Sequence, residues 1–322
     1  MAVEDALATR DGPAAARLGR NRRFNKLKLN RRKLRRAAVA YAFLAPAMGI
    51  LFVFVIWPII QVFWQSVRGT TFLPPSSPYV GLGNFRSIFA DPQFWKDLRT
   101  TAIYTVVTVP LTMGLALAIA LGLRHNNVAS RILRTIYFLP ALSSLAVMGL
   151  IWSFLLSPNI GVLNFWLGKV GVSAPDWLGT TSFALPSVIA VGVWVTLGYD
   201  MVIFVAGRQG IPEDYYEAAQ IDGASPWQQF RNVTVPLLAP TTMFVLVTSV
   251  IGAFQAFDQI FVMTNGGPLY STETLVIYMY RYAFTNFEIG YGCAVAVCLF
   301  VIVLAFTVVE IRMFRRTQQQ II

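Results

Sequence analysis

The chain has 322 residues, of which 56% are hydrophobic and only 13% charged. Apolar residues gather in blocks long enough to cross a hydrocarbon core, which takes roughly 20 residues of helix, and this excludes an ordinary soluble domain. The net charge of +11 sums 26 basic against 15 acidic residues, and 12 of the basic ones lie within residues 1–36. Such clustering ahead of an apolar block reads as a topology signal in contact with anionic lipid, not as a nucleic-acid surface.

In chain order, residues 1–36 read as a basic, largely disordered cytoplasmic tail, with a basic helix over Arg22 to Arg36. Six apolar blocks follow, Ala37–Phe63, Thr101–Leu123, Leu133–Leu156, Phe183–Ala206, Leu238–Met263 and Tyr291–Ile311. They predict an all-α integral membrane protein with about six transmembrane helices, a membrane domain over residues 37–312 and a short cytoplasmic tail at 313–322. With both termini in the cytoplasm, the inner loops and tails carry 20 Lys and Arg and the outer loops 6, the asymmetry expected of that orientation.

Between the first two blocks, residues 69–83 are rich in proline and glycine and read as a surface loop. Residues 85–98 mix aromatics with charges and read as a helix lying at the membrane interface. His125, the only histidine, sits in a short polar loop. Asn159–Trp177 reads as a short re-entrant or interfacial piece anchored by Trp166 and Trp177. Prolines 46, 58, 110, 140 and 186 fall inside spans and invite kinks. Cys293 and Cys298 are five residues apart on the last span, point different ways and are not expected to pair. No metal site and no catalytic cluster is apparent.

The stretch between the fourth and fifth spans, 207–237, is the most informative. Pro212 suits a first helical turn, followed by Glu213 and Asp214 where negative charge complements the helix end. Ala218 and Ala219 favour helix, Gly223 suits a left-handed terminus, and Ser225 before Pro226 caps a second helix. The segment is thus a helix, a tight turn and a second helix, with Glu217 and Asp222 free to face a partner.

This pattern, Glu217-Ala218-Ala219, Asp222-Gly223-Ala224, then Phe230, Val233, Pro236 and Pro240, resembles the EAA motif of membrane subunits in bacterial ABC importers. The resemblance implies the type I importer permease fold and a coupling helix that docks in a separate cytoplasmic ATPase. It places Glu213, Tyr216, Glu217, Ala218, Ala219, Asp222, Gly223 and Ala224 at that contact. The chain has no Gly-x-x-x-x-Gly-Lys-Ser/Thr phosphate loop of its own, so it is not expected to be an enzyme; ATP and Mg would bind on the partner and no cofactor on this chain. A second stretch, Met263-Thr264-Asn265-Gly266-Gly267-Pro268 with Ser271 to Leu275 and Gly290-Tyr291-Gly292, looks like the carbohydrate branch, the maltose-type first permease subunit and its glycerol-phosphate relatives. The branch implies a bacterial plasma-membrane heterodimer with a similar second permease, two ATPase copies and an extracytoplasmic solute-binding protein.

Polar residues inside spans are candidates for the solute path. On the fourth span these are Trp194, Thr196 and Tyr199. On the fifth they are Ser249, Gln255, Asp258 and Gln259, with Gly252, Ala253 and Ala256 as a small-residue stripe beside them. Gln255, Asp258 and Gln259 share one face of a continuous helix at this spacing. The small stripe reads equally as helix packing. Resemblance to the maltose-type subunit also points to the fourth-span stretch and to Ser249; where that subunit carries asparagines on the fifth span, this chain has Ala253 and Ala256. Asp200 and Asp258 read as paired or wet groups near the interfaces. Two such acids are few for the relay of an ion-coupled transporter, which stays the alternative together with a non-transporting membrane scaffold.

Overall fold

The computed structural model describes residues 36–72, 74–123 and 127–318. The expectations for the basic tail and for His125 lie outside these residues. The chain divides by its internal packing into a unit ending at Gln61 and a larger unit from Val62 onward. The described residues of the first unit, 36–61, belong to helix α1, Arg36–Ser66. Its backbone widens to a π-helical stretch at Phe52–Ile56. Pro58 explains the widening, because its ring displaces the hydrogen bond that the carbonyl of Phe54 would otherwise receive.

The larger unit takes in the last turn of α1 and then a loop in which Arg68 bridges Tyr79 and Thr71 bridges Ser76, followed by α2, Gly83–Ala90. Helix α3 spans Pro92–Gly122, nine residues ahead of the apolar block. Asp91 starts it, its Oδ1 accepting the Gln93 N–H at 2.8 Å with proline in the first turn. The interfacial reading of 85–98 is therefore corrected: Phe94 and Asp97 are buried in the first turns of a spanning helix.

The third apolar block is not one straight span. Helix α4, Val128–Phe138, runs into a tight turn at Leu139–Leu142, and α5, Leu145–Leu155, leaves it at 98°. Pro140 and the extended Ser143 carry the bend. Helix α6, Val162–Lys169, lies in the 159–177 segment. Trp166 there is exposed, whereas Trp177 is half-buried and donates to Asn164 Oδ1 at 2.7 Å.

Helix α7, Thr181–Gln209, is the most buried of the candidate spans and packs along α3. The buried face of α3 carries small side chains every three or four residues, Thr101, Thr105, Thr108, Thr112, Ala116 and Ala120. Small residues let helices approach closely; Thr101 and Thr105 satisfy their hydroxyls on carbonyls one turn back, at 2.7 and 2.9 Å. On the other side of α7, Gly198 meets the α4 backbone so closely that a Cβ would overlap the Tyr137 carbonyl oxygen.

The remaining helices are α8, Asp214–Ile221; α9, Pro226–Gln229; α10, Ala239–Phe254; α11, Asp258–Thr264; α12, Leu275–Tyr280; and α13, Ile289–Gln318. Among the described residues, five helical segments are long and apolar enough to span a membrane, six if the bent α4–α5 pair counts as one. Cys293 and Cys298 are unpaired by any disulfide.

Gly198→Val is expected to lower the melting temperature of the purified protein sharply, a cost of about 2 kcal/mol or more from forced backbone displacement. Gly114→Ala on α3, where an added Cβ meets nothing within 4 Å, is expected to be neutral or mildly stabilising. Equal effects of the two substitutions in a thermal unfolding assay would refute the close α4–α7 contact.

Candidate functional site

The fifth span is broken. Helix α10 ends at Phe254 and α11 restarts at Asp258, with Phe257 at φ −135° and ψ −63° between them. The Thr274 hydroxyl donates to the freed Ala256 carbonyl at 3.1 Å, which is how non-helical backbone is tolerated at membrane depth. The expectation that Gln255, Asp258 and Gln259 share a face of one continuous helix is therefore corrected. The break nonetheless brings all three to one cavity.

That cavity has a volume of about 350 Å³. Its wall on α7 carries Thr196, Tyr199 and Asp200; α3 contributes Tyr104, Thr108 and Thr112; Ser143 comes from the α4–α5 bend. The fifth span supplies Thr248, Ser249, Gly252, Ala253 and Ala256 besides the three residues at the break. The expected small-residue stripe thus lines open space. Trp194 does not: it projects from another side of α7 and packs its ring against Trp152, centroids 5.5 Å apart. Two residues from Thr196 on a helix, it points about 200° away.

Two hydrogen bonds set the cavity's shape. Gln259 Nε2 donates to Tyr104 Oη at 2.8 Å, a fully buried tie from α11 to α3. Gly192 of α7 lies against this pair and leaves no room for a side chain. Ser249 Oγ donates to both carboxylate oxygens of Asp200, at 3.1 and 3.4 Å. Asp200 is only 2% exposed; of the paired and wet readings the structure gives the paired one, a buried acid on the cavity wall bonded to Ser249. Tyr104, Thr108 and Thr112 were not singled out from the sequence. Their four-residue spacing on α3 is the signal that finds them.

Beyond α11 the chain forms a polar cluster over 265–288. Arg281 Nη2 pairs with Glu273 Oε2 at 3.2 Å, and its guanidinium lies 4.6 Å from the Tyr270 ring centre. Gln93 Nε2 donates to Asp97 Oδ1 at 2.7 Å and to Glu273 Oε2 at 3.4 Å. Tyr278 donates to Asp91 Oδ2 at 2.6 Å and lies 2.8 Å from the Tyr291 hydroxyl. The Leu275 N–H donates to Thr101 Oγ1 at 2.9 Å. These contacts tie the segment to the start of α3. Burial pushes the Glu273 carboxyl above the ordinary 4.5, against the opposing pull of Arg281. Burial and the neighbouring Asp91 likewise push the Tyr278 phenol up.

At the opposite end of the fifth span, α8 and α9 form the bracket. Ala224 N–H bonds to the Ala219 carbonyl at 2.9 Å and Gly223 sits at φ +76°, closing α8 in a left-handed turn. Ser225 and Gln228 form a reciprocal capping box at the start of α9. The helix then widens at Phe230–Thr234 before Pro236, as α1 does before Pro58. Tyr216 is buried, 3.0 Å from the Thr234 hydroxyl, with the Arg208 guanidinium 4.1 Å from its ring centre; Arg208 also pairs with Glu213 at 3.7 Å. Tyr216 therefore holds the bracket together rather than facing outward. Ala219 and Ala224 are half-buried, and Asp222 and Gly223 are exposed at the turn. Asp214, Glu217, Ala218 and Ile221 form the outward stripe of α8, all exposed. Ile221 at 87% exposure and Trp227 at 67% are apolar members of this surface that the sequence reading did not pick out.

A family model described as the binding-protein-dependent transport system inner membrane component matches residues 111–316. The trehalose/maltose transport system permease protein MalF of Thermococcus litoralis is 34% identical over 287 residues, 88% of this chain and 97% of the relative. The sn-glycerol-3-phosphate transport system permease protein UgpA of Agrobacterium fabrum is 36% identical over 273 residues, 84% and 93% of the two chains. A chain in the crystal structure of a bacterial ABC transporter involved in the import of the acidic polysaccharide alginate matches with a TM-score of 0.77 at 25% identity, covering 88% of this chain and 98% of that one.

Tyr104→Phe is expected to destabilise the protein by about 1–3 kcal/mol, because it leaves the buried Gln259 amide without its acceptor; an unchanged melting temperature would show the tie to be dispensable. The folded chain holds the Glu273 proton more tightly than the unfolded chain does. Its contribution to stability is thus complete below about pH 4.5 and is lost as pH rises through the elevated value. Glu273→Gln is expected to flatten the decline of melting temperature as pH rises above about 4.5, and an unaltered slope would contradict the assignment.

Proposed function

Because the chain belongs to the family of binding-protein-dependent transport system inner membrane components, we propose that its cavity holds a sugar-class solute in transit and that its bracket receives the force of ATP hydrolysis. The chain is a membrane-spanning permease subunit of an ABC importer. The observation that carries the proposal is the cavity at the broken fifth span, walled by hydroxyl, amide and carboxylate groups. Side chains that donate and accept hydrogen bonds beside aromatic faces suit polyhydroxylated solutes. The relatives' names point the same way, to trehalose and maltose for one and to glycerol 3-phosphate for another.

The remaining assignments follow from this reading. A second, similar permease completes the path, and an extracytoplasmic solute-binding protein delivers the solute. Two copies of a separate ATPase bind ATP and Mg and dock on the α8 stripe, on Glu217 and the exposed Ile221. Membrane lipid surrounds the spans, both termini lie in the cytoplasm of a bacterial cell, and the 1–36 tail meets anionic lipid. Neither an ion-coupled mechanism nor a passive scaffold is favoured by any feature of the chain.

Co-purification from native membranes, followed by reconstitution into proteoliposomes, tests the reading. A retained ATPase and uptake of labelled maltose or a related sugar that stops without ATP are the expected results. Recovery of the chain without an ATPase would overturn it. Glu217→Lys is expected to leave assembly in the membrane intact and to lower solute-stimulated ATP hydrolysis at least fivefold, since it reverses charge at the docking stripe. Full stimulation in that variant would remove Glu217 from the contact.

A further inference from the structure

The charge of the cavity narrows the solute. Asp200 is 2% exposed and lines the cavity, yet among the described residues the one hydrogen-bond donor to its carboxylate is the Ser249 hydroxyl. An ionised carboxylate accepts about four hydrogen bonds, so acceptor capacity remains towards the open space. Asp258 adds a second acid at the start of α11. Among the described residues, no lysine or arginine lines the cavity. The next cation along α7, Arg208, is eight residues further, about 12 Å along the helix, and is engaged by Glu213 and Tyr216.

We infer that this cavity admits neutral or amine-bearing sugars and rejects anionic ones, with Asp200 as the residue that determines the choice. A sugar hydroxyl or an ammonium group donates to the free lone pairs of Asp200. A phosphate or carboxylate meets like charge in a medium that screens it poorly. On this account the chain differs in solute charge from relatives named for a phosphate ester or an acidic polysaccharide. The inference rests on the cavity being the solute path, as proposed above.

The cavity's charge preference is measurable without knowing the solute. Gly252 lines the cavity and an added Cβ there meets nothing within 4 Å, so Gly252→Cys is a reporter in a background with Cys293→Ala and Cys298→Ala. In the assembled importer, the trimethylammonium and sulfonate forms of ethyl methanethiosulfonate are compared, each rate divided by that with free 2-mercaptoethanol. The cationic reagent is expected to react at least tenfold faster, and Asp200→Asn to cut that ratio at least threefold. A ratio near one, or one indifferent to Asp200→Asn, would overturn the inference. If Gly252→Cys does not assemble, Ala256→Cys reports on the same space. The labelling rates require no transport, so they fail or hold independently of ATP-dependent uptake, which judges the importer reading itself.

Discussion

A helix that crosses a membrane must keep its backbone groups bonded, and the fifth span of this protein does not do so unaided. Its hydrogen-bond ladder lapses between Phe254 and Asp258. The lapse is sustained by a side chain from elsewhere, Thr274 donating to the freed Ala256 carbonyl, while Tyr104 accepts from the side-chain amide of Gln259 just past it. Unpaired polar groups in hydrocarbon cost several kcal/mol each, so the Thr274 contact is a condition for the break to exist. The break in turn opens the space between α3, α7 and the two half-helices. The cavity thus follows from how one interrupted helix is satisfied.

The same span links the two ends of the molecule. From Pro226 the chain is helical almost without pause through the widened turn at Phe230–Thr234 to Phe254. One near-continuous helical rod therefore joins the bracket to the edge of the cavity, and on the proposed reading it is the route by which displacement of the bracket reaches the solute. Tyr216, buried against Thr234, makes α8 part of that rod instead of a loose loop. On the far side of the break, α11 leads into a segment locked to the start of α3 by Glu273, Arg281, Gln93 and the Asp91–Tyr278 bond. One half of the broken span is continuous with the bracket while the other is tied to the start of α3. The cavity lies between the two halves.

Much of this was legible in the residues, for identifiable reasons. The apolar blocks announced the spans, and Gly223, Ser225 and Pro226 announced the bracket, because turn and cap chemistry is local. The break at Gln255–Phe257 was not legible. No proline or glycine marks it, and the carbonyl it frees is satisfied by Thr274, which is distant in sequence. The early start of α3 was signalled by Asp91-Pro92 but masked by the charged residues that follow. Tyr216 and Trp194 were misplaced in direction, since burial depends on which helix faces them, and Asp200 on finding Ser249 one span away. The bend between α4 and α5 was announced by Pro140, but its angle is set by packing.

The central claim is that the solute sits at the broken fifth span. A cryo-electron microscopy map of the assembled importer, trapped with ADP-vanadate and its solute, tests it most directly. The account predicts solute density bounded by Thr196 and Tyr199 on one side and by Ser249 to Gln255 on the other, with Gln259 still bonded to Tyr104. Solute density elsewhere, over a fifth span continuous through 254–258, would contradict it.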